Sequence, residues 1–238
     1  MTISLLKAEF IKLYNSRATR IISIIYVCFI LIILSFTGVL SVLSRGANEP
    51  ADNYVYGFLI LFLSILPIAN AILNVCNEFS SNMMKQNIIN GMTRNQFILS
   101  KFLSNFILSI YYSLLFFLFA LLLSKGALQY TFHYALSLFF ILNIANSFAF
   151  IFKRTGVAIA AFYVYYSFGE TLIYARILDV FDFEFDSILE TPEILSFTTK
   201  ANMLLFYPDT QLTGIFACLV IILMMFGLQS LIIRNRSL

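Results

Sequence analysis

Few side chains in this sequence could carry out chemistry, and they are not grouped. The only histidine is His133, and the three cysteines, Cys28, Cys76 and Cys218, lie in apolar stretches at spacings that match no zinc motif. A catalytic triad would depend on that one histidine, and a multi-histidine metal site would have no second ligand. The sequence therefore predicts no catalytic residues, no metal centre and no disulfide framework.

The densest group of carboxylates lies in residues 177–210, which hold seven acids and one lysine. Asp182, Glu184 and Asp186 alternate there with phenylalanines, and three carboxylates could bind a divalent cation. The trio lacks the glycine and the ligand spacing of an EF-hand loop. We therefore interpret it as part of a solvated acidic loop.

The composition indicates that much of the chain lies in lipid. Of its 238 residues, 61% are hydrophobic and 11% are charged, whereas soluble domains carry roughly 25% charged residues. A soluble domain of this size could not bury so much apolar surface. The net charge of +3 is small, so nucleic-acid binding is not expected.

Six apolar stretches are long enough to cross a bilayer, which takes about 20 residues of helix. We predict an all-α membrane protein, a single transmembrane domain over residues 1–238, whose six transmembrane helices span residues 21–43, 54–76, 102–124, 132–152, 155–175 and 211–233. The first stretch is longer than the roughly 7–15 apolar residues of a signal peptide. We therefore expect it to remain as a membrane anchor.

The placement of the basic residues predicts the orientation. With the N-terminus inside, eleven of the fifteen lysines and arginines lie on the cytoplasmic side and four on the outer side. This positive-inside bias predicts a multi-pass protein of the bacterial plasma membrane with both termini in the cytoplasm. Five tyrosines near the predicted outer ends are interpreted as an aromatic belt: Tyr54, Tyr130, Tyr134, Tyr174 and Tyr207.

Two segments on the cytoplasmic side are predicted to be helical. Residues 1–20 carry apolar side chains at helical spacing and should form an amphipathic helix in the inner membrane interface, with a cytoplasmic cap before the first span as the alternative. In the loop of residues 77–101, Gly91 should stop one helix, and a capping box of Thr93 and Gln96 should start the next. This arrangement suits a contact with another protein, and a plain connector is the alternative.

The outer loop between the fifth and sixth spans is also predicted to contain helices. Thr191 and Pro192 form a helix-start pattern, and a second short helix should end before Pro208. We therefore predict two short extracellular helices within residues 177–210.

The run of residues 78–101 resembles the loop after the second span of ABC-2-type transporter permeases, which have the type V exporter fold. In that family an acidic residue ends the second span, and a helical stretch follows. A Gly-x-(Ser/Thr)-Arg turn then precedes a lysine at the start of the third span. The residues that match this pattern are Glu78, Gly91, Thr93, Arg94 and Lys101. The interfacial helix, the six spans and the outer helices are also similar, so the resemblance covers essentially the whole chain.

The resemblance implies the permease subunit of an ATP-binding cassette exporter, which moves a peptide, drug or lipid-like substrate out of the cell. Its partners would be two copies of an ABC ATPase and a second permease subunit, in a homodimer or a related heterodimer. The chain has no phosphate-binding loop of the P-loop type, so ATP and Mg²⁺ would bind the partner and no cofactor is expected on this chain. The implied ATPase-coupling residues are Glu78, Met83, Met84, Lys85, Ile88, Gly91, Thr93 and Arg94.

Polar residues inside the predicted spans are candidates for a substrate path or a dimer seam, because polar groups in lipid usually face protein or water. They are Asn70, Asn74, Asn143, Asn146, Tyr163, Tyr166 and Glu170. The alternative is hydrogen bonding between helices that holds the bundle together, and we favour it for the asparagines. Glu170 is the only acid within a span, and it is a candidate for contacting substrate or gating the outer side.

Three other functions are alternatives to the exporter subunit. An intramembrane enzyme needs paired acids, histidine clusters or a Ser/Lys pair at membrane depth, and the sequence offers no such group. An ion-coupled secondary transporter often has two related halves and broken spans, whereas only Pro67 interrupts a span here. A membrane assembly protein without a transport role is the remaining alternative. We therefore expect a transport subunit that is not itself an enzyme.

Overall fold

The structure, a computed structural model, describes residues 2–43, 52–123, 127–166 and 211–234. These residues form eight helices: α1 Thr2–Asn15, α2 Arg17–Leu43, α3 Asp52–Ser80, α4 Met83–Ile89, α5 Arg94–Leu123, α6 Ala127–Phe152, α7 Thr155–Val164 and α8 Gln211–Arg234. The all-α prediction is confirmed for this part of the chain. The outer loop of residues 177–210, with its predicted helices and its acidic trio, lies outside the described residues.

Two helices in the described ranges are long and apolar enough to cross a membrane, over Arg94–Leu118 in α5 and Thr131–Phe152 in α6. Leu6–Asn15 of α1 and Arg17–Ile32 of α2 make a third candidate if the bent pair is counted as one span, and α7 and α8 contribute shorter apolar stretches. The described residues thus support a helical membrane protein with two to three candidate spans. The six-span architecture stays a prediction.

The axes of α1 and α2 meet at a bend of 69°. The Ser16 hydroxyl lies at the bend and accepts a hydrogen bond from the Thr19 N–H at 3.3 Å, as an N-cap residue does at the start of a helix. The exposed side of α1 carries the apolar residues Leu6, Phe10 and Tyr14. An apolar face turned outward is suited to lie in the lipid interface, and the interfacial position predicted for this helix stays a prediction.

α6 is the central helix and contacts α3, α5, α7 and α8. Small side chains such as Ala145 and Ala149 are fully buried along it and allow the neighbouring helices to approach closely. α5, in contrast, exposes one face that carries Phe106, Ile110 and Leu114. Contiguous exposed apolar surface of this kind is rare on soluble monomers, and lipid would cover it. The last residues of α3, α6 and α8 and the first residues of α5 lie near the loop that contains α4.

Candidate coupling site

The loop between α3 and α5 contains α4 followed by a tight turn at Gly91, where φ is +91°. Residues with a Cβ avoid this backbone region, whereas glycine enters it readily. The Gly91 N–H donates to the Ile88 carbonyl at 3.0 Å. The Met92 N–H donates to the Asn87 carbonyl at 2.9 Å. Together the two bonds form a Schellman motif, so the predicted helix stop at Gly91 is confirmed.

The predicted capping box at the start of α5 is also present. The Thr93 N–H donates to the Gln96 side-chain oxygen at 2.9 Å, and the Gln96 N–H donates to the Thr93 hydroxyl at 3.3 Å. These reciprocal bonds satisfy two backbone donors that the first turn of a helix otherwise leaves unpaired. The sharp turn and the capped start together fix the angle between α4 and α5.

Replacing Thr93 with alanine should destabilise the first turn of α5 by about 1 kcal/mol, because the cap hydroxyl is lost. Amide hydrogen exchange at Gln96 should then be about fivefold faster, as that free energy implies. Thr93→Ser retains the hydroxyl and serves as the matched control. Equal exchange rates in the two variants would show that the capping bond does not hold this turn.

The residues of α4 divide into an inner and an outer set. Met84 is buried with 6% of its surface exposed, and it packs with the apolar core. Met83 is 46% exposed and Ile89 is 83% exposed, while Lys85 is also exposed and Ile88 is half-buried. A short helix therefore presents two apolar side chains and a lysine at its surface while Met84 attaches it to the bundle.

A cluster of four charged side chains lies beneath this loop. The Lys101 amine donates to Glu78 Oε1 at 2.6 Å and to Glu9 Oε1 and Oε2 at 3.1 and 3.2 Å. Lys12 forms an ion pair with the same Glu78 oxygen. We call Glu9, Lys12, Glu78 and Lys101 the ionic cluster. It joins α1 to the end of α3 and to α5, so α1 is connected to both ends of the loop.

Burial makes the members of the ionic cluster depend on one another. Glu78 and Lys101 are only 1% and 2% exposed, and a buried charge without its partner is strongly destabilising. Burial, and then the neighbouring charge of Lys101, lowers the pKa of the Lys12 amine to about 7, and Glu9 opposes that shift. Glu9 therefore favours the charged form of Lys12, while burial and Lys101 favour the neutral form more strongly.

Arg94 attaches the loop to the last helix. Its guanidinium Nη1 donates to the Ile233 carbonyl at 3.1 Å, in the last turn of α8, where the carbonyls of a helix carry partial negative charge. Asn95 lies beside it and its side-chain oxygen accepts a weaker bond from the Ser230 hydroxyl at 3.4 Å. Arg94 thus contacts the helix bundle, and its predicted contact with an ATPase stays a prediction. The same holds for Glu78, which the structure places inside the ionic cluster.

Three phenylalanine rings pack together near α4. Phe79, Phe97 and Phe150 meet edge to face, with ring centres 5.8–6.2 Å apart, a favourable geometry for aromatic pairs. The Lys101 amine lies 5.4 Å from the centre of the Phe97 ring, and the Lys153 amine lies 5.5 Å from that of Phe79. These rings join the end of α3, the start of α5 and the end of α6.

Asn70 lies at the centre of a buried hydrogen-bond network that joins α2, α3 and α5. Its side-chain oxygen accepts bonds from the Thr19 hydroxyl at 3.2 Å and from the Asn74 amide at 3.3 Å. Its own amide donates to the Tyr112 hydroxyl at 3.0 Å. The bonds are of the kind that holds a bundle together, and a role for Asn70 or Asn74 in a substrate path stays a prediction.

One assignment to the aromatic belt is wrong. Tyr134 is fully buried, and its hydroxyl lies 2.9 Å from that of Tyr26, because α6 is surrounded by other helices at this level and turns this side chain inward. The remaining tyrosines assigned to the belt have no described side chains.

A second polar network joins α6 to α5 and α8. Asn105 donates to the Asn143 side-chain oxygen at 3.2 Å. Gln229 donates to the Asn143 carbonyl at 3.2 Å and to the Ser147 hydroxyl at 2.9 Å. Asn146 is buried close by on α6. Gln229 is absent from the predicted residues, because a single glutamine within an apolar run gives no sign of its partner.

The predicted aromatic face of the fifth span is described in part. The Tyr163 hydroxyl donates to the Ile65 carbonyl at 2.9 Å, two residues before Pro67, so α7 is bonded to α3 next to its proline. Tyr166 stacks on Phe162 with ring centres 5.7 Å apart. Glu170 lies outside the described residues, and its role stays a prediction.

A comparison with protein families shows which family this chain resembles over most of its length. The model of the ABC-2 family transporter proteins matches residues 5–181, well over half of the 238 residues. The chain belongs to this family. In this ABC-2 transporter protein the matched region contains the whole loop with α4 and all four residues of the ionic cluster. The resemblance of residues 78–101 to ABC-2 permeases is therefore confirmed at the level of the family, and no curated relative matches the chain in sequence.

Sequence reasoning about this ABC-2 protein missed three residues of the site. Glu9 and Lys12 belong to the predicted interfacial helix and are not among the predicted site residues, whereas they pair with residues far along the chain. Ile89 was not among the coupling residues, although it is the most exposed large apolar residue described. An apolar residue in a short helix is usually interpreted as core, so its exposure had no signal in the sequence.

Proposed function

We propose that this ABC-2 protein is the permease subunit of an exporter and that α4 is the coupling helix contacted by a separate ATPase. ABC-2 permeases generally pair with ABC ATPases. The observation that supports the proposal is the surface of α4, where Met83, Lys85 and Ile89 are exposed on a helix capped at its end. Apolar side chains surrounded by polar ones are typical of the central contacts in protein interfaces.

The attachments of α4 explain how force would pass into the membrane. Met84 packs into the core, and Glu78 is bonded to Lys101 beneath the loop. A push on α4 therefore displaces the cytoplasmic ends of α3 and α5 together instead of bending a loose connector. Glu9 carries the displacement to α1, and Arg94 carries it to α8. This is rigid-body tilting of a packed bundle, one of the usual switching motions in proteins.

The transport cycle would use two ATPase copies and a second permease subunit, identical or related. ATP and Mg²⁺ would bind the ATPase, whose closure would push α4 and tilt the bundle so that the substrate leaves outward. A peptide, drug or lipid-like substrate is expected, since the candidate path residues lie among apolar helices. An ion-coupled secondary transporter and a membrane assembly protein are the alternatives, and neither accounts for an exposed, rigidly attached α4.

The test is co-purification of the permease with its ATPase after charges are placed on α4. Met83→Glu/Ile89→Glu should weaken ATPase binding at least tenfold, because truncation or disruption of central interface residues often costs 2 kcal/mol or more. Met83→Leu/Ile89→Leu keeps the surface apolar and should bind normally. Asn15→Glu adds an exposed charge at the end of α1 and should also bind normally.

An unchanged yield of ATPase with the double glutamate variant would contradict the proposal, provided that the variant reaches the membrane in normal amounts. Equal losses in the glutamate and leucine variants would also contradict it, since the apolar character of α4 would then not be what the ATPase recognises.

A further inference from the structure

A cavity of about 460 Å³ lies between α4, the turn that joins α6 to α7, and the end of α8. Its buried wall is apolar and includes Met84, Phe150 and Ile233. A volume of this size is in the usual range for small-molecule sites. It lies where the cytoplasmic ends of three helices meet, the level expected for the headgroups of the inner leaflet.

The rim of the cavity is basic. Lys85, Lys153 and Arg154 line it and are exposed, and none of the described residues that line it is acidic. Ser80 and Asn82 add neutral polar groups beside the lysines and the arginine. Lys153 has a left-handed backbone with φ of +56°, and its amine lies over the Phe79 ring at the cavity wall. The Lys153 side chain is therefore directed along the wall of the cavity.

This combination of a basic rim and an apolar wall matches an amphipathic anion. Lysine and arginine are the usual ligands of phosphate groups, and basic pockets between membrane helices on the cytoplasmic side bind the headgroups of anionic lipids. We propose that the cavity is a phosphate-binding site and that an anionic phospholipid of the inner leaflet occupies it. The phosphate would bind Lys153 and Arg154, and an acyl chain would lie against Phe150 and Ile233.

The position of Lys85 and Met84 gives the site a consequence for α4. Both belong to α4, whereas the other side of the cavity belongs to the α6–α7 turn and to α8. A bound lipid would therefore bridge α4 to two other helices. This consequence for coupling rests on the proposed function, but the binding site itself does not.

The experiment is native mass spectrometry of the purified protein titrated with phosphatidylglycerol. Lys153→Asn/Arg154→Gln should weaken binding of the lipid about tenfold or more, because each basic residue near an anionic headgroup is worth about 1 kcal/mol. Asparagine is chosen at position 153 because it tolerates a left-handed backbone. Lys7→Gln/Arg17→Gln removes two exposed cytoplasmic charges away from the cavity and should leave binding within about twofold of the original.

A third variant keeps the charges in place. Lys153→Arg/Arg154→Lys should bind phosphatidylglycerol nearly as well as the unaltered protein, which shows that the loss in the neutral variant is not misfolding. Competition with inorganic phosphate shows whether the site binds a lipid headgroup or a free phosphate ion. Inorganic phosphate that fails to displace the lipid supports the lipid as the ligand, and displacement by inorganic phosphate supports a phosphate site that a free anion also fills.

Two results would overturn the proposal. Equal losses in the cavity variant and in Lys7→Gln/Arg17→Gln would show that lipid binding reflects overall charge. Unchanged lipid binding in Lys153→Asn/Arg154→Gln, together with loss of ATPase co-purification, would show that the cavity receives a segment of the ATPase instead. Neither result would decide the role of Met83 and Ile89 in coupling.

Discussion

Replacing Lys101 with methionine is expected to lower the stability of the folded protein by about 3–5 kcal/mol, the usual result of removing one partner of a buried ion pair. Glu78 is 1% exposed and would lose the amine that lies 2.6 Å from its oxygen. Glu9 would lose the same partner. The variant would leave two carboxylates with one lysine, Lys12, and the Glu78 carboxylate would stay buried.

The double variant Glu78→Gln/Lys101→Met is the informative control. It removes one charge of each sign and leaves Glu9 with Lys12, so most of the lost stability should return. Lys7→Met alters an exposed lysine on α1 and should change stability little. A double variant as unstable as Lys101→Met would show that loss of the Lys101 side chain itself, and not the unpaired carboxylates, destabilises the protein.

The chain provides its own probe for this measurement. Cys76 is buried and Cys28 is exposed, so a thiol-reactive dye on a Cys28→Ser/Cys218→Ser background reports the opening of the core at Cys76. The midpoint of heat-induced labelling in detergent gives the order of stability. If the Lys101→Met variant unfolds at the same temperature as the background protein, that result would contradict a structural role for the ionic cluster.

The second large effect is expected from Gly91→Val, which should greatly weaken coupling to the ATPase. A β-branched residue at φ of +91° is strained by about 1–3 kcal/mol. Nothing lies within 4 Å of the place where a Cβ would stand, so the strain comes from the backbone alone. The Schellman turn should open in most molecules, and α4 would lose its fixed angle to α5.

Gly91→Asn is the matched control, because asparagine tolerates positive φ far better than valine. ATPase activity in proteoliposomes containing permease and ATPase should fall about tenfold with valine, as roughly 1.4 kcal/mol of strain would give, and remain near normal with asparagine. Equal activity in the valine and original proteins would show that coupling does not need the turn. Equal loss in both variants would mean that glycine is needed because a partner approaches its backbone closely.

Features that depend on residues close together in sequence could be predicted well. The turn at Gly91 and the capping box of Thr93 and Gln96 are each set by hydrogen bonds across three to five residues, so their residue types carry the information. The family motif gave the location of the loop, and the family match agrees with it. The all-helical fold followed from continuous apolar runs of spanning length.

Features that depend on distant residues could not be predicted. Glu9 and Lys101 are 92 positions apart, and an interfacial helix offers no sign of which charged residue its polar side will meet. Tyr134 was assigned to the membrane surface because tyrosine is common there, but its helix is surrounded by others and the ring is buried. A charged residue such as Glu78 or Arg94 can contact either a partner protein or a neighbouring helix. Only the packing of the folded chain shows which of the two it contacts.

The ionic cluster also constrains the order in which the protein assembles. Its four charges come from positions 9, 12, 78 and 101, so the first two leave the ribosome long before the last. Until α5 has been inserted, Glu78 can pair with Lys12 but not with Lys101, and Glu9 has no Lys101 beside it either. The cluster can therefore reach its full set of ion pairs, and α1 its attachment to α5, only once α5 is in place.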